Sequence, residues 1–332
     1  MKMTFFKRTL NLQLALFMVI NASVGLGSQL ALAAVPKNPT THQPSKPFSP
    51  VTNANPTNPA RKRPIYHSVD QRPFFDLPMT YNSKVKKWIL YFQGEGRRGF
   101  KVWLERSHRY MPSIQKTLQR RGLPLDLAYV AMIESGFRAK AVSPASAVGY
   151  WQFIEATANR YGLRTNWWLD ERRDYRKSTH AASQYLGDLY KMFDSWYLAV
   201  AAYNMGEARL KRLIKRHQTK NFWALAKQKG FPSETRDYIP KLIAAILIAK
   251  APKLYGFRNI QPRAPYAYEY FYVPGGTDLK ILADHIGVNY KNLAQLNPEL
   301  IKGFIPPITK GHKIRIPRGT NRKVASYIRK TL

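Results

Sequence analysis

Apolar positions recur at three- and four-residue spacing through most of the chain after residue 80. Val85, Trp88, Ile89 and Phe92 form one such stripe. Phe100, Trp103 and Leu104 continue it beyond a glycine-rich break at Gly94, Gly96 and Gly99. This is the repeat of a helix with one face turned inward. Tyr110–Arg121 carries the same period and stops at Gly122, and Pro124–Glu134 opens on proline and stops at Gly136. Proline in the first turn and glycine just past the last are the usual punctuation of a helix. The spacing predicts further helices over Glu155–Tyr161, Thr179–Phe193, Trp196–Tyr203, Glu207–Lys215, Asn221–Lys227 and Ser233–Lys250. No period-two strand precedes residue 268. The middle of the chain therefore reads as an all-helical domain.

The pattern changes after Lys250. Residues 253–267 read as a linker, bounded by Pro252 and Pro265. Tyr268–Val273 alternates and is aromatic, which predicts a strand. Leu279–Ile286 and Asn289–Leu296 predict two short helices separated by Gly287, and Lys313–Ile316 predicts a second strand closed by Pro317. The order β-α-α-β fits within residues 268–317, a core too small to be more than marginal alone. Residues 318–332 read as a basic tail. The fold class expected is mainly α: a large helical domain plus a small βααβ domain.

The first 63 residues are different again. Lys2, Lys7 and Arg8 precede an apolar stretch densest over Leu14–Ile20, and Ala31-Leu32-Ala33 places small residues before a cleavage point. Residues 1–33 thus read as a secretory signal peptide. Asn11, Gln13, Asn21 and Ser23 interrupt the apolar run, which argues against a retained spanning helix of about 20 apolar residues. Residues 34–63, rich in Pro, Thr, Asn and Ser, read as a disordered linker. Residues 64–109 then form a helical extension before the main domain.

The balance of 54 Lys plus Arg against 19 Asp plus Glu gives a net charge of +35. A field of that sign gathers polyanions: nucleic acid, anionic lipid, or a cell wall bearing carboxylates. The export signal selects the envelope, and no nucleic-acid motif is present, so nucleic acid is not expected as a partner. The charge would add peripheral association with the envelope. The chain has no cysteine. This excludes disulfides, thiolate metal sites, a cysteine nucleophile and a lipoprotein anchor. His180, His285 and His312 show no metal-ligand spacing, and no Gly-rich phosphate loop or Ser-His-Asp arrangement stands out. Neither a metal nor another cofactor is expected. The oligomeric state is not legible.

The candidate chemistry centres on Glu134, which ends an almost wholly apolar helix, Leu125–Ile133. Met132, Ile133 and Phe137 disfavour a charge there, and so does the partial negative charge of the helix C-terminus. Both raise the carboxyl pKa, as a general acid near neutral pH requires. Downstream lie Ser143-Pro-Ala-Ser146-Ala-Val-Gly149-Tyr-Trp-Gln152-Phe153 and Ala201-Ala-Tyr203-Asn204-Met-Gly206. Asp170, Arg172, Arg173 and Asp174 read as a structural ion-pair cluster.

Taken in order, the Glu-Ser-x-Phe turn, the Gly-x-x-Gln segment and the Ala-Tyr-Asn-x-Gly segment resemble the lytic transglycosylases of the goose-lysozyme-like superfamily. Asp170–Asp174 and Ser233-Glu-Thr-Arg-Asp-Tyr238-Ile-Pro240 are similar to the membrane-bound transglycosylase D subgroup, and the resemblance covers roughly residues 75–255. It implies a lysozyme-like catalytic domain over residues 110–252. It implies Glu134 as sole catalytic acid/base, with Ser135 beside it. Ser135, Gly149, Gln152, Tyr203, Asn204 and Tyr238 would bind substrate. The activity implied is non-hydrolytic cleavage of the N-acetylmuramic acid–N-acetylglucosamine bond of peptidoglycan glycan strands, giving 1,6-anhydro products. Val148, Tyr150 and Glu155 depart from the family's usual residues. Two alternatives stay open: a hydrolytic muramidase using a second carboxylate such as Glu155 or Asp174, and a non-catalytic wall-binding protein.

Residues 268–317 resemble a LysM module, through Gly276-Thr-Asp-Leu279, Gly287-Val288, Leu296-Asn297-Pro298 and Ile314-Arg-Ile-Pro317. The order Gly-Thr-Asp departs from the usual Gly-Asp-Thr. The resemblance implies glycan contacts at Gly276, Thr277, Asp278 and Asn297. An exported, periplasmic or envelope-located enzyme follows from the whole.

Overall fold

The computed structural model describes residues 74–331; the expected signal peptide, the 34–63 linker and the start of the extension lie outside the described residues. Helix α1 (Ser83–Gln93) begins where the Asn82 side chain accepts from the amides of Lys84 and Val85, a cap that satisfies otherwise orphaned donors. The two stretches expected on either side of residue 105 are one helix, α2 (Arg97–Arg120), which runs through Pro112. A 3-10 turn at Leu125–Leu127 leads into α3 (Ala128–Ser135), which stops at Gly136 in the left-handed conformation, φ 56°. Then follow α4 (Glu155–Arg160), a 3-10 turn at Glu171–Arg173, α5 (Tyr175–Phe193), α6 (Trp196–Met205), α7 (Glu207–His217), the short α8 (Phe222–Leu225) and α9 (Ser233–Lys250). The predicted helices are present, with ends shifted by a few residues.

The apolar sequence of α3 has its reason in the packing. Seven of its eight residues are buried, between α2 on one side and α9 on the other. Burial of Val130, Met132 and Ile133 removes apolar side chains from water at roughly 1.5–3 kcal/mol each, and α3 owes its place to this rather than to its length. The connection from α3 to α4 folds back through isolated antiparallel bridges, Val142 to Val148 and Val148 to Phe153. Trp151 is fully buried in the large core, its indole N–H donating to Thr179 at 3.0 Å.

The small domain has the expected order. β1 (Tyr268–Val273) pairs antiparallel with β2 (His312–Pro317), with Tyr272 opposite Lys313 and Tyr270 opposite Arg315. Between them lie α10 (Leu279–Ile286) and α11 (Tyr290–Leu296). Two expectations are corrected. The segment after Pro317 is not a loose basic tail: it forms α12 (Asn321–Thr331), and Val324 and Tyr327 are buried in the small core. Residues 253–267 are not a free tether either. Phe257 is buried against the Phe100 ring, Arg97 donates to the Gly256 carbonyl at 2.6 Å, and Arg109 donates to the Ala264 carbonyl at 2.8 Å.

The two domains are bound into each other. Trp168 and Leu169, from the helical domain, belong to the small domain's core. The amide of Asp170 donates to the Glu299 carbonyl at 2.8 Å, and that of Ile301 to the Trp168 carbonyl at 3.0 Å. Arg315 of β2 is buried between two acids. It donates to Glu299 at 3.0 Å and is hydrogen-bonded to Asp174, the residue that caps α5. Among the described residues no helix is long and apolar enough to cross a membrane.

Candidate active site

Glu134 is the penultimate residue of α3 and the only residue of that helix not fully buried. Its carboxylate accepts a hydrogen bond from the hydroxyl of Tyr238 on α9. Burial pushes its pKa up to about 7; the Tyr238 hydroxyl and the Lys241 ammonium act downward, and the nearby Glu234 upward. Loss of hydration outweighs both favourable partners. Near neutral pH the group is therefore present in both protonation states, which lets it give and take a proton.

Three helices frame this carboxyl. From α6, Tyr203 donates to the Trp151 carbonyl at 2.7 Å. Its own ionisation is pushed well up by burial and then by the charge of Glu134. Tyr238 is shifted the same way for the same reasons. Both phenols thus stay neutral and act as hydrogen-bond donors. Asn204 is held at the start of α9: its amide nitrogen donates to Glu234 at 3.0 Å, and its oxygen accepts from Thr235 at 2.6 Å.

The other expected site residues fall into place unequally. The Ser135 hydroxyl is buried. It donates to the Tyr150 carbonyl at 2.8 Å and accepts from the Arg138 amide at 3.2 Å. It fastens the turn after Glu134 to the 149–153 segment. Gly149 has φ +84°, and a Cβ there would meet the Arg172 carbonyl at 2.0 Å. Close backbone packing there requires the glycine. Gln152 adopts φ 51° and donates to the carbonyls of Gly149 (3.0 Å) and Ala141 (3.3 Å). Behind these, Arg172 donates to Asp170 and to the carbonyls of Ser146 and Phe153. The acidic-basic cluster expected at 170–174 is thus the scaffold of the Gly149–Gln152 turn. Both carboxylates proposed for a hydrolytic alternative are committed elsewhere. Exposed Glu155 accepts from Thr165 at 3.0 Å, and Asp174 caps α5 against Arg315.

Lys241 was missed by the sequence reading. Its ammonium donates to the Ile133 carbonyl at 3.1 Å, and burial depresses its pKa while Glu134 and Glu234 raise it. Glu234, Tyr238 and Lys241 stand four and three residues apart on α9, the spacing that puts side chains on one helix face. That spacing was the available signal.

In the small domain two of the expected contact residues are buried. Thr277 is buried and donates to the Pro274 carbonyl at 2.8 Å. Asn297 is buried with both ends of its amide engaged, donating to Leu293 and Arg315 carbonyls and accepting from the Arg315 amide at 2.7 Å. Asp278 caps α10 through the amides of Lys280 and Ile281, and Gly276 is exposed.

A helical domain with this carboxyl at its centre is matched by the transglycosylase SLT domain family over residues 111–226. Residues 269–330 match the LysM-like domain of lytic transglycosylase MltD. The chain thus combines an SLT transglycosylase domain with an MltD-type LysM-like domain. It is similar to the membrane-bound lytic murein transglycosylase D of Escherichia coli K12, 33% identical over 232 residues covering 68% of this chain and 49% of that protein. It is also 33% identical to the peptidoglycan transglycosylase gp16 of Escherichia phage T7, over 45% of this chain and 11% of that protein. The chain spans about half the length of the first of these relatives. The 70 kDa soluble lytic transglycosylase of Escherichia coli superposes with TM-score 0.39 at 19% identity, over 56% of this chain and 34% of that one.

Proposed function

We propose that this chain is an exported peptidoglycan lytic transglycosylase whose single acid/base is Glu134. One observation carries the reading: a carboxyl at the end of a buried apolar helix, held by Tyr238, with its pKa brought to about 7. Hydrolases of sugars ordinarily use two carboxylates. Here the other two acids considered, Glu155 and Asp174, are engaged in structural bonds. Glu234, the further acid near Glu134, accepts from Asn204 at 3.0 Å, and this commitment favours one group acting twice.

In the first step protonated Glu134 gives its proton to the glycosidic oxygen as the C1–O bond of N-acetylmuramic acid breaks. The sugar's own N-acetyl carbonyl shares the positive charge that develops at C1. In the second step ionised Glu134 takes the proton of the 6-hydroxyl while that oxygen bonds to C1. The product is a 1,6-anhydro sugar, no water is consumed, and Glu134 returns protonated. Intramolecular attack benefits from high effective molarity. Tyr238 steadies the carboxylate between the two steps. Tyr203, Asn204 and Gln152 line the approach and hold the N-acetyl groups. The small domain adds a second grip on the same polymer, through the exposed turn at Gly276 and Asp278. Export, with removal of residues 1–33, places the basic surface in the periplasm against the wall.

The test is mass spectrometry of muropeptides released from purified peptidoglycan by the chain and by Glu134→Gln. Anhydro products from the parent, with a fall of about 10²–10⁴ in the variant, are the expected result. Products one water heavier would identify a muramidase. No product from either, with wall binding intact, would leave a binding protein.

A further inference from the structure

β1 carries tyrosine at every second position, Tyr268, Tyr270 and Tyr272, so all three stand on the outer face of the sheet. Phe271 and Val273 face the small core instead. Large apolar rings on an open sheet face are unusual unless something covers them. The catalytic domain covers only one end. There the Tyr268 hydroxyl meets that of Tyr175, at the start of α5, at 3.1 Å. The other end stays open, with Tyr270 41% and Tyr272 58% exposed.

Cations accompany the rings along most of the row. The Lys313 ammonium lies 4.8 Å from the Tyr270 ring centre. The Arg176 guanidinium, on α5, lies 5.9 Å from the rings of both Tyr175 and Tyr268. Further on, Arg109 lies 4.2 Å from the Tyr266 ring. Glu269, the acid within β1, is turned to Gly319 and Asn321 on the other side. Asp174 is buried beneath Arg315. The row is therefore aromatic and cationic, and it is continuous only because the two domains are locked together.

We propose that this row is a binding strip for the peptide-bearing glycan of the cell wall, distinct from the turn at Gly276. Sugar rings present flat C–H faces that stack on exposed tyrosines. The stem peptides carry carboxylates that pair with Lys313 and Arg176. A neutral glycan would not need the cations, and a simple polyanion would not need the rings. The choice of the wall polymer over other carboxylate-bearing glycans rests on the activity proposed above.

The strip is tested in the Glu134→Gln background, where the polymer is not degraded. Full-length protein is co-sedimented with purified sacculi. Tyr270→Ala/Tyr272→Ala should weaken binding about tenfold or more, whereas Tyr270→Phe/Tyr272→Phe should keep it. Lys313→Glu should weaken binding and flatten its dependence on salt. Melting temperatures of all variants should match the parent, since these side chains are open to solvent. Parental binding by the double alanine variant would overturn the strip, and so would a parent that does not bind sacculi. Sacculus binding that depends on the tyrosines, in a chain that releases no anhydro product, would retain the strip and remove the enzymatic reading.

Discussion

Glu134 owes its chemistry to a balance between lost hydration and three neighbours rather than to any one of them. Its pKa of about 7 is set by lost hydration and by Glu234, against Tyr238 and Lys241. In the proposed reaction the first step begins from the protonated form, so activity should fall as pH rises through about 7. Lys241→Met removes a cation that favours the charged carboxylate. The basic limb of the pH–rate profile should then move to higher pH, and an unmoved limb would contradict the role given to Lys241. The same carboxyl bears on stability. Its ordinary value is 4.5, so an unfolded chain loses this proton at a pH where the native chain keeps it. The contribution is fully present below about 4.5 and is lost as pH rises toward 7. Glu134→Gln should flatten this part of a stability-against-pH curve measured by denaturant titration. Glu134 was legible in the sequence because apolar neighbours and a helix end are both local facts. Lys241 was not, since a lysine on a long helix looks like a solvated side chain until α3 is packed against it. Ser135 shows the converse. Its position in a motif was visible, but the Tyr150 carbonyl that takes its hydrogen bond is a tertiary neighbour.

Among the elements, the turn carrying Gly149 and Gln152 shows most clearly how the site is supported. Its bridges at Val142, Val148 and Phe153 are too short to leave a period in the sequence, so only its glycine and glutamine were read. The structure ties it down from behind, through the Arg172 guanidinium and the Arg172 carbonyl against Gly149. Gly149→Ala faces a positive φ and a backbone oxygen at once. It should destabilise the protein by about 1–3 kcal/mol from each cause, measured as a lower denaturation midpoint with unchanged slope. The helices themselves were legible because amphipathic stripes and Gly or Pro ends are local. Residues 321–331 were read as a tail because Arg, Lys and Asn outnumber the apolar residues there. Val324, Tyr327 and Ile328, at three- and four-residue spacing, were the sign of the face that α12 buries.

Across the whole molecule, the seam between the domains was the least legible feature. Asp170–Asp174 read correctly as an ion-pair cluster, but Arg315 lies 141 residues beyond Asp174. Nothing in either segment announces the other. Arg315 holds two buried acids, and Glu299 is pushed up to about 7 by burial first, with Arg315 acting downward and Asp174 upward. Removing the cation leaves both acids without it. Arg315→Met should cost about 3–5 kcal/mol, read by thermal or chemical denaturation. With Trp168 and Leu169 seated in the small core, the two domains should melt in one calorimetric transition. Two separate transitions would show that the seam is weaker than its contacts imply.

That shared seam also makes ligand binding a matter of protein lifetime. A molecule that binds only folded protein stabilises it by mass action, roughly 2.7 kcal/mol at a hundred times its dissociation constant. Where the domains unfold together, glycan held by the small domain as proposed would protect the helix bearing Glu134 as well. On the proposed function, protein engaged with the wall would then survive proteases that remove the unengaged copies, so that the amount of cutting activity would follow the amount of polymer left to cut.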